Sequence, residues 1–351
     1  MDFNSKIKRV TFLILVTVVM MLHGGSLRAE SIWIKYGNQV YQGAGDAKSI
    51  GLSGSEVASA TGPLSILWNP ARLFAEHEKS LVYAHQERFS GSVIFDVIAF
   101  DLKQDLESKW SLVLIRDAVQ DIPNTLDALL YNTGSLDDPS ERIIASDVTF
   151  FNQVQWAGAV GFATTRWQWN VGGAAKLLMH QLGDHTGYGV GFDVGAYNSF
   201  MPNNTVGISL RDASTSWIVW DSGTVERVAP RIVIGDVHVF PVESAEMEVK
   251  AMLTADLNLG GRSGSDDFSV GNIGAHLRAG VEIDYKDSFH LRAGRNPVSR
   301  YSIGLGFALP FGHLDYAFTP SPLGSILGTS HYLSLNVRLG YLDSLREKSE
   351  N

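Results

Sequence analysis

The chain has 351 residues, 28 Lys and Arg against 37 Asp and Glu for a formal charge of −9, 45% hydrophobic residues, 35 Gly and no Cys. So much apolar content excludes a disordered chain, and the lack of cysteine excludes a disulfide scaffold, a thiolate metal site and a cysteine nucleophile. The acidic balance argues against a nucleic-acid partner, whose phosphates need clustered Lys and Arg.

Lys6, Lys8 and Arg9 precede an apolar run from Val10 to Leu22, and His23 to Ala29 forms a small, polar exit ending Leu27-Arg28-Ala29. This pattern predicts a secretory signal over residues 1–29, cleaved near Ala29. The run is shorter than the roughly twenty residues a membrane helix needs, and the chain has no second run of that length. Without a cysteine after it, a lipid anchor is excluded.

Downstream of the signal the sequence alternates with period two. From Trp167 to Met179 the odd positions are almost all large and apolar; from Thr186 to Asn198 the phase is the other one, with Tyr188, Val190, Phe192 and Val194 set against glycines and Asp193. The same alternation runs through Met247–Leu259, Gly271–Tyr285, Tyr301–Leu309 and Leu333–Tyr341. No Asp, Glu, Lys or Arg occupies the apolar phase, whereas the other phase carries Lys176, Asp193, Lys250, Asp256, Arg278, Glu282, Asp284 and others. Such half-apolar strands suit a soluble sandwich or a barrel in lipid. Three features favour the barrel. The chain is exported, its strands are long, and aromatic residues such as Trp167, Trp169, Tyr188, Tyr285 and Tyr301 gather near strand ends.

The pattern predicts strands at 80–89, 91–102, 109–117, 147–163, 166–180, 185–198, 205–211, 227–239, 246–258, 271–285, 287–295, 300–309, 311–318 and 331–341. Their connections are short on one rim and long on the other, as in outer-membrane barrels, and an even count closes the sheet without free edges. Pro230 falls inside the expected eighth strand, where it removes a ladder donor. The expected fold is an all-β transmembrane antiparallel β-barrel of about fourteen strands.

Ahead of the first strand stand Gly43-Ala44-Gly45-Asp46-Ala47, Ile50-Gly51-Leu52-Ser53-Gly54 and Trp68-Asn69-Pro70-Ala71. With Arg116-Asp117, Asp121-Ile122-Pro123-Asn124-Thr125, Gly304-Leu305-Gly306-Phe307, Leu314-Asp315-Tyr316-Ala317 and Leu327–Tyr332, these segments resemble, in order, the FadL-type outer-membrane proteins, and more narrowly their PorV/PorQ branch. The resemblance implies a plug over 30–78 folded back into a barrel over 79–342, with 343–351 as a tail. The region 203–260 matches least, and Leu342–Asn351 extends past the last strand where many barrels end on an aromatic residue.

Trp68, Asn69, Pro70 and Ala71 form the expected plug motif: Trp68 can bury its ring while its N–H finds a partner, Asn69 can bond backbone, and Pro70 can start a short helix. The motif reads either as a rigid turn or as a moving gate. His276, Arg278, Glu282, Asp284, His290 and Arg292 project into the lumen, as a permeation surface or as mutually paired charges that seat the plug. In the long connection 118–146, Leu126, Leu129, Leu130 and Tyr131 form a candidate lid or docking surface. His180, Asp184 and His185 could be imagined as metal ligands, but a tight hairpin explains them better; Asp137-Asp138 and Asp266-Asp267 read as solvated loop charge rather than calcium sites. No motif for a cofactor, phosphate loop or hydrolase nucleophile is present. The partners expected are outer-membrane lipid with either a hydrophobic small molecule passing inward or, in the alternative, secretion-machinery or exported proteins of type IX secretion; an outer-membrane hydrolase is the weakest reading.

Overall fold

The computed structural model describes residues 39–213, 215–262, 266–296, 301–321, 327–342 and 344, so the expected signal segment lies outside the described residues. Strands β1 (Ser80–Arg88), β2 (Val93–Gln104), β3 (Ser108–Asn124), β4 (Thr149–Arg166), β5 (Trp169–Leu182), β6 (His185–Met201) and β7 (Asn204–Arg211) pair in sequence, all antiparallel. The ladder then passes over a short hairpin, β8 (Ser216–Trp220) and β9 (Val225–Val228), to β10 (Arg231–Val242) and β11 (Met247–Asn258). It skips β12 (Phe268–Val270) to reach β13 (Ile273–Tyr285), then runs through β14 (Phe289–Arg295), β15 (Ser302–Leu309), β16 (Gly312–Thr319) and β17 (Ser330–Arg338). β17 closes on β1 from Ser80↔Arg338 to Glu87↔His331. Fourteen strands therefore form the wall, and β8, β9 and β12 are additions that pair with β6 and β13 at one rim.

The wall matches the expected strands, with corrections at the third and eighth: β3 runs on to Asn124 and pairs with β4 there, so the first residues of the expected 118–146 connection are strand, and the eighth starts later than expected. It begins at Arg231, so Pro230 precedes β10 rather than interrupting it, as expected of a residue that cannot donate to the ladder. The first and last wall strands both meet the rim of tight turns. There Trp167 and Gln168 take φ of 50° and 69°, and Lys286 and Asp287 take 54° and 49°, the left-handed pair that suits two-residue hairpins. The opposite rim carries the long connection 125–148.

Burial alternates as the period-two pattern requires. Leu177 is 66% exposed beside Lys176 at 3%, and Tyr188 is 62% exposed while Asp193 on the other phase is at 6%. Large apolar side chains face outward and charges face the interior, the reverse of a water-soluble domain and the arrangement of a barrel in lipid. Among the described residues no helix is long and apolar enough to cross a membrane.

The core of the molecule lies inside the barrel. The segment before β1 winds through α1 (Gln39–Gly43), α2 (Ala47–Gly51) and two 3₁₀ turns, Pro63–Leu67 and Pro70–Ala75. Asp46 caps α2 by accepting the Ser49 N–H at 2.8 Å, and proline opens each 3₁₀ turn, where its missing N–H costs nothing. Val40, Leu64, Ile66 and Leu73 share one buried cluster with Phe95, Val97, Val113 and Ile115, the 3₁₀ turns lying against β2 and β3 and α1 against β4. The lumen is thus two-sided: an apolar half-wall on β1–β5 covered by the 3₁₀ turns, and an ionic half-wall on β11–β16, against part of which α2 sits.

Candidate functional site

The plug motif lies at the seam between plug and wall. Asn69 is wholly buried; its Nδ2 donates to Val57 O at 2.9 Å and Ala196 O at 3.1 Å, while its Oδ1 accepts the Ala71 N–H at 3.1 Å. One side chain therefore caps the second 3₁₀ turn and ties it to β6. Pro70 starts that turn, and Ala71 has no exposed surface. Trp68 buries its ring as expected, under the Arg211 guanidinium at 5.6 Å, but among the described residues its Nε1 has no hydrogen-bond partner. Gly45 and Gly54 lie against the ring: a Cβ on Gly45 would stand 3.1 Å from it and one on Gly54 2.8 Å.

The glycines of the interior phase explain how the plug fits. A Cβ on Gly172 would stand 2.6 Å from Ala71 N, one on Gly207 2.4 Å from Val57 O, and one on Gly294 2.5 Å from Leu52 C. Plug backbone therefore runs against wall backbone on three sides, and any side chain at these positions would push it away.

The six lumen candidates separate into distinct groups. Glu282, Asp284, His290 and Arg292 come together near the tight-turn rim. Arg292 donates through Nε to Glu282 at 2.5 Å and through Nη1 to Asp315 at 2.5 Å; Lys250 donates to Glu282 at 3.2 Å and to Asp284 at 2.6 Å; Asp284 also holds His290 Nδ1. Glu282, Asp284 and His290 offer ligand atoms within 4.8 Å of one another, the spacing of a metal site, but the Lys250 ammonium already bonds both carboxylates. Arg278 stands apart, sharing Asp256 with Arg231 at 3.1 and 3.0 Å, and His276 faces Asp266 at 3.4 Å. The plug adds its own pair, half-buried Lys48 and buried Glu56 at 3.7 Å; burial pushes the Glu56 carboxyl above the ordinary carboxylate range against the pull of Lys48.

In the 125–148 connection Leu126, Leu130 and Tyr131 are exposed, but Leu129 is only 6% exposed and bridges Ile143, so it holds the loop together rather than facing a partner. His180 packs against Trp220 and His185 pairs with Asp221, so the two histidines do not converge. Sequence reasoning passed over Lys48, Glu56, Arg211 and Asp315 as site residues. For the wall pair the usable signal was a charge in the interior phase; the plug pair has no periodicity to mark it.

No protein-family model and no curated protein matches the chain. Solved structures do. The toluene transporter TodX of Pseudomonas putida superposes with a TM-score of 0.57 at 11% identity, over 84% of this chain and 98% of that one. The toluene transporter TbuX of Ralstonia pickettii does so with a TM-score of 0.52 at 11% identity, over 84% and 98%. A FadL homologue of Pseudomonas aeruginosa overlaps at 0.46 and 12% identity, over 83% and 97%. At these identities the likeness to the two toluene transporters is one of fold alone.

Proposed function

We propose that the protein passes hydrophobic small molecules across the bacterial outer membrane, with the segment 39–79 as the plug that must shift to let them through. The observation that carries this reading is the apolar half-wall of the lumen. Phe95, Val97, Val113 and Ile115 are covered by Leu64, Ile66 and Leu73, a surface that an apolar ligand could take over when the plug withdraws. The fold shared with two toluene transporters supports the same reading. The narrower PorV/PorQ kinship and the secretion role that came with it have no comparison in their favour.

The chain lacks cysteine, so a lock can be built on a clean background. A Cβ on Gly161 would stand 2.5 Å from Ile66 Cγ1, within reach of a disulfide. In liposomes the unmodified protein is expected to take up toluene or a fatty acid, the oxidised Ile66→Cys/Gly161→Cys pair to be inactive, and reduction to restore uptake. No uptake by the unmodified protein would end the transport reading. Uptake by the locked form would leave transport standing and remove the gate.

A further inference from the structure

Three consecutive turns of the tight-turn rim carry large apolar side chains. Leu106, between β2 and β3, is 98% exposed; Trp167, between β4 and β5, is 91% exposed; Phe200 and Met201 are exposed at the end of β6. Trp167 also takes a left-handed φ of 50°, a hairpin position that suits Asn, Asp or Gly, and its ring finds almost no burial within the chain in return. The next two turns of the same rim are charged instead: Glu243 and Glu246 between β10 and β11, and Lys286 and Asp287 between β13 and β14, all exposed.

The apolar turns continue the lipid-facing band. Trp110 meets Phe162 at 4.7 Å and Trp169 meets Phe200 at 5.2 Å beside them, aromatic pairs of the kind that mark a bilayer interface. At the opposite rim the two sides exchange character. On β1–β3 the outward phase, which holds Leu81, Ile98 and Leu114, turns polar before the strands end. There Asp96 accepts from the Tyr83 hydroxyl at 3.0 Å and holds His85 at 2.8 Å, with Arg116 at 3.7 Å. Halfway round the wall, beside β11 and on β12, the residues at that rim are Leu259, Phe268 and Val270, all exposed. A charge on the lipid face is costly at the bilayer midplane and cheap at the interface, so the apolar belt lies nearer the tight turns on β1–β5 and nearer the long connections on β11–β13. We propose that the barrel sits tilted in the membrane, with the turns at Leu106, Trp167 and Met201 sunk in the leaflet at the tight-turn rim and those at Glu243 and Asp287 in water. The tilt follows from how the surface meets lipid, and it stands whether or not the barrel transports anything.

The chain lacks cysteine, so single cysteines carry spin labels without background. In vesicles of phosphatidylethanolamine and phosphatidylglycerol, labels at Leu106→Cys and Trp167→Cys are expected to be relaxed by oxygen and shielded from a water-soluble nickel chelate. At Glu243→Cys and Asp287→Cys, on the same rim, the order should reverse. At the other rim Phe268→Cys should report lipid and Glu87→Cys water. Equal access of the chelate to all four turns would overturn the proposal and leave the apolar turns to a soluble protein partner. Lipid contact at all four would overturn it as well, since the barrel would then stand upright. Should the Trp167 variant fail to insert, Leu106→Cys against Glu243→Cys decides the matter alone.

Discussion

Leu253 sits midway along β11 with 53% of its surface exposed, whereas Lys250 on the same strand turns inward to Glu282 and Asp284. Leu253→Arg should therefore destabilise the membrane-inserted barrel by about 2–4 kcal/mol, the usual cost near the bilayer midplane, read as the folded fraction recovered in liposomes. The charge at Lys250 shows that side of the wall, not strand identity, decides tolerance. Inside, Glu282 accepts from both Lys250 and Arg292. Glu282→Gln keeps the volume but leaves two buried cations short of a partner, and should lower stability by about 3 kcal/mol in a denaturant titration, with the parent chain as reference. The sequence phase already set His276, Arg278, Glu282, Asp284, His290 and Arg292 on the inner face. It could not show which of them meet, because cross-strand partners depend on register: Asp315 reaches Arg292 from β16, across the narrow β15.

Among the elements, the strands from β5 onward were legible because their inner residues are small or polar and their outer ones large and apolar. β2 and β3 were harder to read, since Phe95, Val97, Val113 and Ile115 face inward onto an apolar plug and both phases are greasy. β8, β9 and β12, of three to five residues, are too short to show a period. The connection 125–148 owes its form to something alternation cannot reveal. Glu141 accepts N–H groups from Tyr131 at 2.8 Å and Thr133 at 3.0 Å, and the Thr133 hydroxyl at 2.8 Å. Desolvation by the loop works to raise the carboxyl, but these hydrogen bonds outweigh it and hold it at about 2. A carboxyl depressed in the folded loop supports that loop above the ordinary carboxylate range and releases it as pH falls toward 2. Titration of a Glu141-labelled sample should inflect near 2, with Tyr131 amide exchange accelerating over the same range; an inflection at the ordinary value of 4.5 would show that the loop is not held this way.

At the scale of the whole molecule, wall and plug have separable roles. The wall closes on itself through β1 and β17, so its hydrogen bonding is complete without any plug residue. The interior is another matter: the plug covers the apolar half-wall and crowds the glycines at 172, 207 and 294. A chain lacking residues 39–75 should therefore still close as a barrel, giving the heat-dependent gel shift of a folded β-barrel, while its lumen fills with water. Much of the ionic half-wall, Lys250, Glu282, Asp284, Arg292 and Asp315, is anchored strand to strand and would line that water rather than collapse across it. In planar bilayers the shortened chain is expected to give discrete ion-conducting steps where the full chain gives none. Equal conductance from the two forms would mean that the plug is not the barrier. A folded but silent shortened barrel would mean that the long outer connections, rather than the plug, close the lumen.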